Sequence, residues 1–415
     1  MNFKCEFNKG FKEFIVKDRN VIMELRQNHI DGTLSEVEEI EKSLENPINS
    51  KRLSEIVRRG ERVVIITSDV TRPMPSMVVL PEILKELYAG DIKDEDIKIV
   101  FALGSHRKQT ETEMRYIVGD DIFKRIKCID SDPDDCMRLG YTSHGTPIDI
   151  FSEVAKADRR ICLGNIEFHY FAGYSGGSKA IMPGVSSREA IQNNHSAMVN
   201  EDSKAGFLIG NPVRSDIEEV EKYVTIDFIL NVVLDENKKI IKSFAGHHIV
   251  AHREGCNFLD ALYKVKIPRK ADIVITSPGG YPKDINLYQA QKALDNAKHA
   301  VKDGGIIIFV ASCNEGLGEE NFKKWIMAST NTKQMIQDIE DNFELGGHKA
   351  AAIAMVREKA KIFSVTDLND EIAERIFMKP FKSVNDALSQ AFTELGSNAE
   401  VILMPYGGST LPITD

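Results

Sequence analysis

Arg62-Val63-Val64-Ile65-Ile66-Thr67 runs directly into Ser68-Asp69-Val70-Thr71-Arg72-Pro73. The first part is a short, nearly continuous apolar run. It lacks the alternation of a strand that wets one face. Such runs belong to parallel strands covered by helices on both sides. The polar turn after it, and a helical stretch over 77–88, complete a strand–turn–helix unit. Working outward, the unit recurs. A strand over 97–102 ends in Leu103-Gly104-Ser105-His106-Arg107 and precedes a helix over 111–118. Further strands are predicted at Cys128, 148–151, 160–165, 226–234 and 239–244, with a helix over 252–263.

Before the unit, residues 1–18 read as a hairpin turning at Asn8-Lys9-Gly10, and 31–59 as a charged helical segment broken at Pro47. After Pro268 a second set begins, with strands at 271–276, 305–311, 361–365 and 400–404 and helices between, one of them over 287–301. Strand and helix alternate throughout. That pattern predicts an α/β fold of two domains, each a mostly parallel, doubly wound sheet flanked by helices. The expected domains are 1–266 and 267–405, with the active site in the cleft between them. The Gly- and Pro-rich tail, 406–415, is expected to pack back across that cleft.

The formal net charge of −10 argues against a nucleic-acid role, which needs phosphate neutralisation. No apolar run is long enough to span a bilayer, and the start lacks the apolar region of a signal peptide. A cytoplasmic protein with no membrane partner is expected. None of the six cysteines forms a C-x-x-C pair, in keeping with reduced structural thiols.

In open α/β sheets, ligands bind beyond the carboxyl ends of the strands. Those ends carry Asp69, Thr71 and Arg72, then Ser105-His106-Arg107, then Glu167 and His169, then Pro278-Gly279-Gly280-Tyr281. The third cluster opens the most unusual stretch, Glu167-Phe168-His169-Tyr170-Phe171-Ala172-Gly173-Tyr174-Ser175-Gly176-Gly177-Ser178-Lys179-Ala180-Ile181-Met182-Pro183-Gly184. Its glycine turn offers backbone N–H groups to an anion, and its lysine an amine for covalent chemistry. Its histidine, with His195 downstream, can move protons or hold a metal. Each piece also has a structural reading: Asp69 and Thr71 as helix caps, Arg72 as a surface ion-pair partner, His106 as a loop histidine, His169 as a core one. The turn half resembles a P-loop but has Ser178 before the lysine and Ala180 where a magnesium-binding hydroxyl belongs. No G-x-G-x-x-G follows the early strands. His248 and His252, four apart with His247 adjacent, lack a third ligand for zinc. His29, His144, His299 and His348 have no partner in the pattern.

Taken together, Ser68–Pro73, Ala102–Arg107, the Glu167–Gly184 motif and Asn194-His195 resemble the nickel-dependent lactate racemase family. So do Gly279-Gly280-Tyr281-Pro282-Lys283-Asp284-Ile285-Asn286-Leu287-Tyr288-Gln289-Ala290-Gln291-Lys292 and the closing Pro405-Tyr406-Gly407-Gly408. The resemblance runs in order over nearly the whole chain. It implies a racemase or epimerase of 2-hydroxy acids. It also implies a nickel-pincer cofactor, a pyridinium-3,5-dithiocarboxylic acid mononucleotide made from nicotinic acid adenine dinucleotide. The cofactor would be bonded covalently to Lys179, absent in the apo form, and supplied by cofactor-maturation enzymes. Nickel's protein ligand maps to His195 and the two proton-transfer residues to His106 and His169. Substrate-positioning residues map to Arg72, Tyr288, Gln289 and Lys292. A homo-oligomer stays open.

The residue types suit that chemistry. The α proton of a 2-hydroxy acid is very weakly acidic, so a carbanion route is hard. Taking hydride from C2 while a base takes the hydroxyl proton avoids it and gives a flat 2-oxo acid. Two hands then call for two bases, and imidazoles titrate in the right range. Arg72 can grip a carboxylate through two parallel hydrogen bonds. Ser175, Gly176 and Gly177, with Asp69 or Thr71, form a candidate cradle for the cofactor's phosphate or ribose. The side group that distinguishes lactate from malate or a sugar acid is not readable here. Two other readings are carried: a nucleotide-dependent dehydrogenase or transferase, and a non-catalytic binding protein of the same fold.

Overall fold

The structure, a computed structural model, describes residues 1–28, 34–235, 238–328, 331–344 and 346–414. His29 and the start of the charged segment at 31 lie outside them. The chain divides into two compact units. One is Ile30–Asp260; the other joins Met1–His29 to Ala261–Asp415.

The Ile30–Asp260 unit is built on a sheet of six strands. Their spatial order is Ile240–Gly246, Phe228–Leu234, Arg159–Asn165, Val63–Ser68, Ile97–Ala102, Lys127–Asp130. All neighbours are parallel except the Ile240 strand, which returns antiparallel beside Phe228–Leu234. Ile65, Ile66, Ile99, Val100, Phe101, Ile161 and Cys162 are all fully buried, as a sheet covered on both faces requires. The chain runs outward through the Ile97 and Lys127 strands, then crosses back to place Arg159–Asn165 on the other side of Val63–Ser68. That reversal is a topological switch point, where two neighbouring strand ends lead their loops apart and leave a crevice. The expected strand at 148–151 forms at Pro147–Phe151, but it pairs with Cys136–Tyr141 in a separate antiparallel hairpin.

The other unit has an all-parallel sheet in the order Met378–Pro380, Lys361–Val365, Val301–Val310, Ala271–Thr276, Val401–Met404, Val21–Glu24. Two short strands in it, Val21–Glu24 and Met378–Pro380, have too little apolar pattern to read from sequence. The first corrects the expected boundary. Residues 1–28 were expected in the N-terminal domain, yet Val21–Glu24 extends the C-terminal sheet and the hairpin Asn2–Phe7/Gly10–Ile15 packs on that sheet's core through Cys5 and Phe14. The tail also folds at home: Leu411–Ile413 pairs in parallel with Lys264–Lys266 of its own unit. Here the switch point lies between Ala271–Thr276 and Val401–Met404. The two glycine motifs that follow these strands meet, with Gly407 N–H donating to the Ser277 carbonyl at 2.7 Å.

Candidate active site

The loops at the first unit's switch point carry the predicted site residues. After Val63–Ser68 the chain turns through Asp69, whose Oδ1 accepts the Thr71 N–H at 2.7 Å. Asp69 Oδ2 lies 2.8 Å from His106 Nδ1, and Thr71 Oγ1 3.4 Å from the same nitrogen. Asp69 is buried. Burial alone raises its carboxyl, but His106 and the Thr71 bonds outweigh that and hold it below the usual carboxylate range. Asp69 and Thr71 thus act on His106. The capping reading fails, because the helix after them starts only at Ser76. Gln109 locks the two loops together. Its Oε1 accepts the Val70 N–H at 2.8 Å, while its own N–H and Nε2 donate to Asp130 at 2.8 and 3.1 Å.

Beyond Arg159–Asn165, Phe168–His169 pairs with Gly173–Tyr174 in a two-stranded turn. Gly173 has φ +77°, and a Cβ there would fall 2.1 Å from the Phe207 carbonyl oxygen, so only glycine fits. His169 Nδ1 accepts the Ala172 N–H at 3.2 Å. Its ring lies in a nest of aromatics, stacked on Tyr170 at 5.4 Å and edge-on to Phe171 at 4.4 Å. Burial, then the charges of Lys179, His195, Arg72 and Arg214, push His169 well below the ordinary histidine range. The imidazole is therefore neutral at neutral pH.

Phe171 joins three of the predicted residues. Besides His169 it meets His195 at 4.9 Å and lies 5.9 Å from Lys179 Nζ. Lys179 sits in the single turn Gly177–Ala180 and has no hydrogen-bond or ion-pair partner for its amine among the described residues. Burial, then Arg214 and Arg72, push it well below the ordinary lysine range. His195 ends the helix Arg188–Ser196, and its Nδ1 faces Asn194 Oδ1 at 3.1 Å. Asn194 spends its amide N–H groups on the Val213 carbonyl at 3.1 Å and Asp216 at 2.8 Å. Its Oδ1 must then accept, so the His195 Nδ1 that faces it carries a proton.

The glycine turn differs from the expected open cradle. Ser175 N–H donates to the Glu167 carbonyl at 2.9 Å, and its hydroxyl bridges Asn165 O and Glu167 N–H at 2.7 and 2.9 Å. Gly177 N–H donates to Asn231 Oδ1 at 2.8 Å. Those groups build the turn, and Gly176, with φ +77° and Asn231 Oδ1 pressed to 2.8 Å from where a Cβ would be, lets it close. His252 and His248 also serve it. His252 Nε2 donates to the Ser175 carbonyl at 2.8 Å and His248 Nδ1 lies 3.0 Å from Ser178 Oγ. No group of three or more metal-binding side chains occurs among the described residues.

Tyr288, Gln289 and Lys292 belong to the other unit. They lie on the helix Leu287–Ala297, capped by Asn286, whose Oδ1 accepts the Gln289 N–H at 3.0 Å. Gln289 and Lys292 are exposed and three apart, on one face. Tyr288 is half-buried against Phe322, with Lys349 Nζ 3.5 Å from its ring centre. Sequence reasoning missed Asn194 as an orienting group, Phe171 as a joint, and Arg214, Asp216 and Asn231 altogether. The doublet Asn194-His195 was the one available signal.

A doubly wound α/β protein that gathers histidines, a lysine and an arginine in the loops at a switch point has the outline of an enzyme. Comparison with known proteins gives the class. Residues 7–206 match the lactate racemase N-terminal domain and 266–411 the lactate racemase C-terminal domain. A lactate racemase from Thermoanaerobacterium thermosaccharolyticum is 35% identical over 99% of both chains, and one from Lactiplantibacillus plantarum 36% over 90% of both. The solved lactate racemase apoprotein from the former organism superposes with a TM-score of 0.91, at 34% identity and full coverage of both chains. The chain belongs to the lactate racemase family and is an isomerase. Among the described residues, no helix is long and apolar enough to cross a membrane.

Proposed function

We propose that the chain interconverts the two hands of lactate or a closely related 2-hydroxy acid in the cytoplasm, after maturation enzymes have loaded a nickel-pincer nucleotide on Lys179. One observation carries the reading: His106 and His169 are held by opposite contacts at the same switch point. His106 Nδ1–H can donate to Asp69, which leaves Nε2 a lone pair. His169 Nδ1 accepts from Ala172, which in the neutral ring leaves the proton on Nε2. Two rings so arranged suit proton removal on one side of a hydroxyl and proton return on the other.

The residues fit the group. Lys179, its proton affinity lowered, would supply an amine for a covalent bond, and His195, its Nδ1–H held by Asn194, would offer Nε2 to nickel. When bound, the group supplies a centre that can accept the substrate's C2 hydride and give it back. The remaining work falls to the chain. His106 takes the hydroxyl proton, and Asp69 offsets the charge this leaves on the ring. Arg72 holds the carboxylate, so the flat 2-oxo acid can turn about C2 without leaving. His169, whose proton affinity is lowered first by desolvation, releases a proton readily once it has one. Tyr288, Gln289 and Lys292 add polar contacts to the substrate.

The test is a racemisation panel with protein matured by co-expression with the cofactor-making enzymes. L-lactate deuterated at C2 should yield D-lactate that keeps its deuterium. Washing out of the label into water at the rate of racemisation would sink the hydride reading. Turnover of another 2-hydroxy acid but not lactate would move the substrate and leave the chemistry.

A further inference from the structure

Arg214, on the helix Pro212–Glu219, belongs to no motif, yet it is 1% exposed and reaches into the turn that carries Lys179. Its Nε donates to the Ala172 carbonyl at 3.2 Å and one Nη to the Gly176 carbonyl at 3.5 Å. The other Nη donates to the Tyr174 carbonyl. Three alternate carbonyls of one turn are thus gathered by one planar fork, which a lysine or glutamine cannot span. The carboxylate beside it, Glu218, stands 3.8 Å away and has both oxygens gripped by Arg253 at 2.8 and 2.7 Å. Arg214's charge is therefore only partly offset. Burial lowers its own value, but a guanidinium stays protonated wherever the protein is folded.

The single turn Gly177–Ala180 that carries Lys179 follows directly on these carbonyls, so the way the 172–176 backbone is held sets where the amine stands. Desolvation, then the charges of Arg214 and Arg72, lower the lysine's proton affinity, in keeping with a free amine.

We propose that Arg214 is the positioning residue of the anchor, tying the 172–176 backbone into the shape that presents Lys179. The proposal rests on reading Lys179 as the anchor. There the Nζ lone pair attacks an acyl-type carbon of the incoming group. The C–N bond forms, the leaving group departs with its electron pair, and Nζ gives one proton to water. An ammonium has no lone pair to start this.

Acyl labelling of the apoprotein with N-acetoxysuccinimide across a pH series, read by mass spectrometry of the Lys179 peptide, tests it. Exposed lysines on the same protein are the reference. Arg214→Gln should slow labelling of Lys179 several-fold at every pH relative to the exposed lysines of the same protein. A folded Arg214→Gln that labels Lys179 at the wild-type rate overturns the proposal. Arg214→Lys keeps the charge but loses the fork. It should show the same slowing, and a wild-type rate in Arg214→Lys would remove the positioning role. Intact mass after maturation separates the two readings. A wild type without an adduct on Lys179 removes the anchor reading, whatever the labelling shows. An adduct together with indifference to Arg214 removes this inference alone.

Discussion

His106 Nδ1 lies 2.8 Å from the buried Asp69 Oδ2, and Asp69 also accepts the Thr71 N–H. The carboxylate fixes which ring nitrogen carries the proton and balances the imidazolium that forms when Nε2 takes another. Asp69→Asn should keep the fold and lower kcat by about 10²–10⁴-fold, the range of a positioned acid–base group, with KM little changed. The folded-state value of Asp69 is depressed, so its stabilisation is present above the unfolded value of about 3.9 and is lost as pH falls through the folded one. Thermal unfolding of the two proteins should therefore differ near neutral pH and converge in acid. A parallel offset at every pH would show that Asp69 contributes by packing alone.

His169 sits in the opposite environment, half-buried among aromatic rings, where desolvation and then nearby positive charge lower its proton affinity. Its folded-state value is lowered, so below about 6.5 the unfolded chain binds a proton that the native ring refuses. The native state then loses stability as pH falls through that window. NMR titration of the apoprotein should leave the His169 ring neutral at a pH where free histidine is half protonated. His169→Gln should flatten the fall in melting temperature below that pH. A normal titration of His169 would contradict this account of the site.

Much of the fold was legible because buried parallel strands write themselves as short apolar runs. Val63–Ser68, Ile97–Ala102, Ala271–Thr276 and Lys361–Val365 all form where those runs lie. Val21–Glu24 carried no such signal, since it is a four-residue edge strand, and only its pairing with Val401–Met404 makes it part of the C-terminal sheet. In the site, His106, His169, Lys179 and His195 could be singled out because their types carry chemistry. Arg214 and Asp216 could not. Their roles come from a helix that packs behind the turn, a distant relation that no local spacing records. The glycine turn was only partly legible for a related reason. Its N–H groups looked available, and only the fold shows that Asn231 and Glu167 occupy two of them.

Phe171 is 2% exposed and meets the rings of both His169 and His195 edge-on. Phe171→Leu keeps most of the volume but removes two aromatic contacts, each worth about 0.5–1.5 kcal/mol. The melting temperature should fall by a few degrees. Activity of the matured protein should fall more than that loss of stability explains, because both histidines lose the wall that sets their ring planes. Equal losses in stability and activity would reduce Phe171 to ordinary core.

Lys179 gives a stability signature of its own. Its folded-state value is lowered, so between that value and about 10.4 the unfolded chain holds a proton that the native amine does not. The native apoprotein gains stability as pH rises through this window. Lys179→Met removes the ionisable group. It should melt higher than wild type at neutral pH, with the gap narrowing as pH approaches the unfolded lysine value. A gap that stays constant with pH would mean that the amine is charged in the fold.

Asn194 supplies the last test. Its amide is oriented by two acceptors, the Val213 carbonyl and Asp216, and Asp216 is held in turn by the hydroxyls of Thr142 and Thr146. The amide cannot flip without placing its oxygen against that carboxylate, so Oδ1 stays toward His195 Nδ1. Groups that orient a metal-binding histidine in this way typically change metal affinity by about 10–100-fold. Asn194→Ala frees the His195 ring to rotate and to exchange tautomers. It should lower the nickel retained by matured protein on dialysis against a chelator, while the covalent adduct at Lys179 persists in the intact mass. Asp216→Asn should act in the same direction through the amide it no longer fixes. Nickel retention equal to wild type in Asn194→Ala would show that the His195 ring is set by its packing on Phe171 rather than by this hydrogen bond.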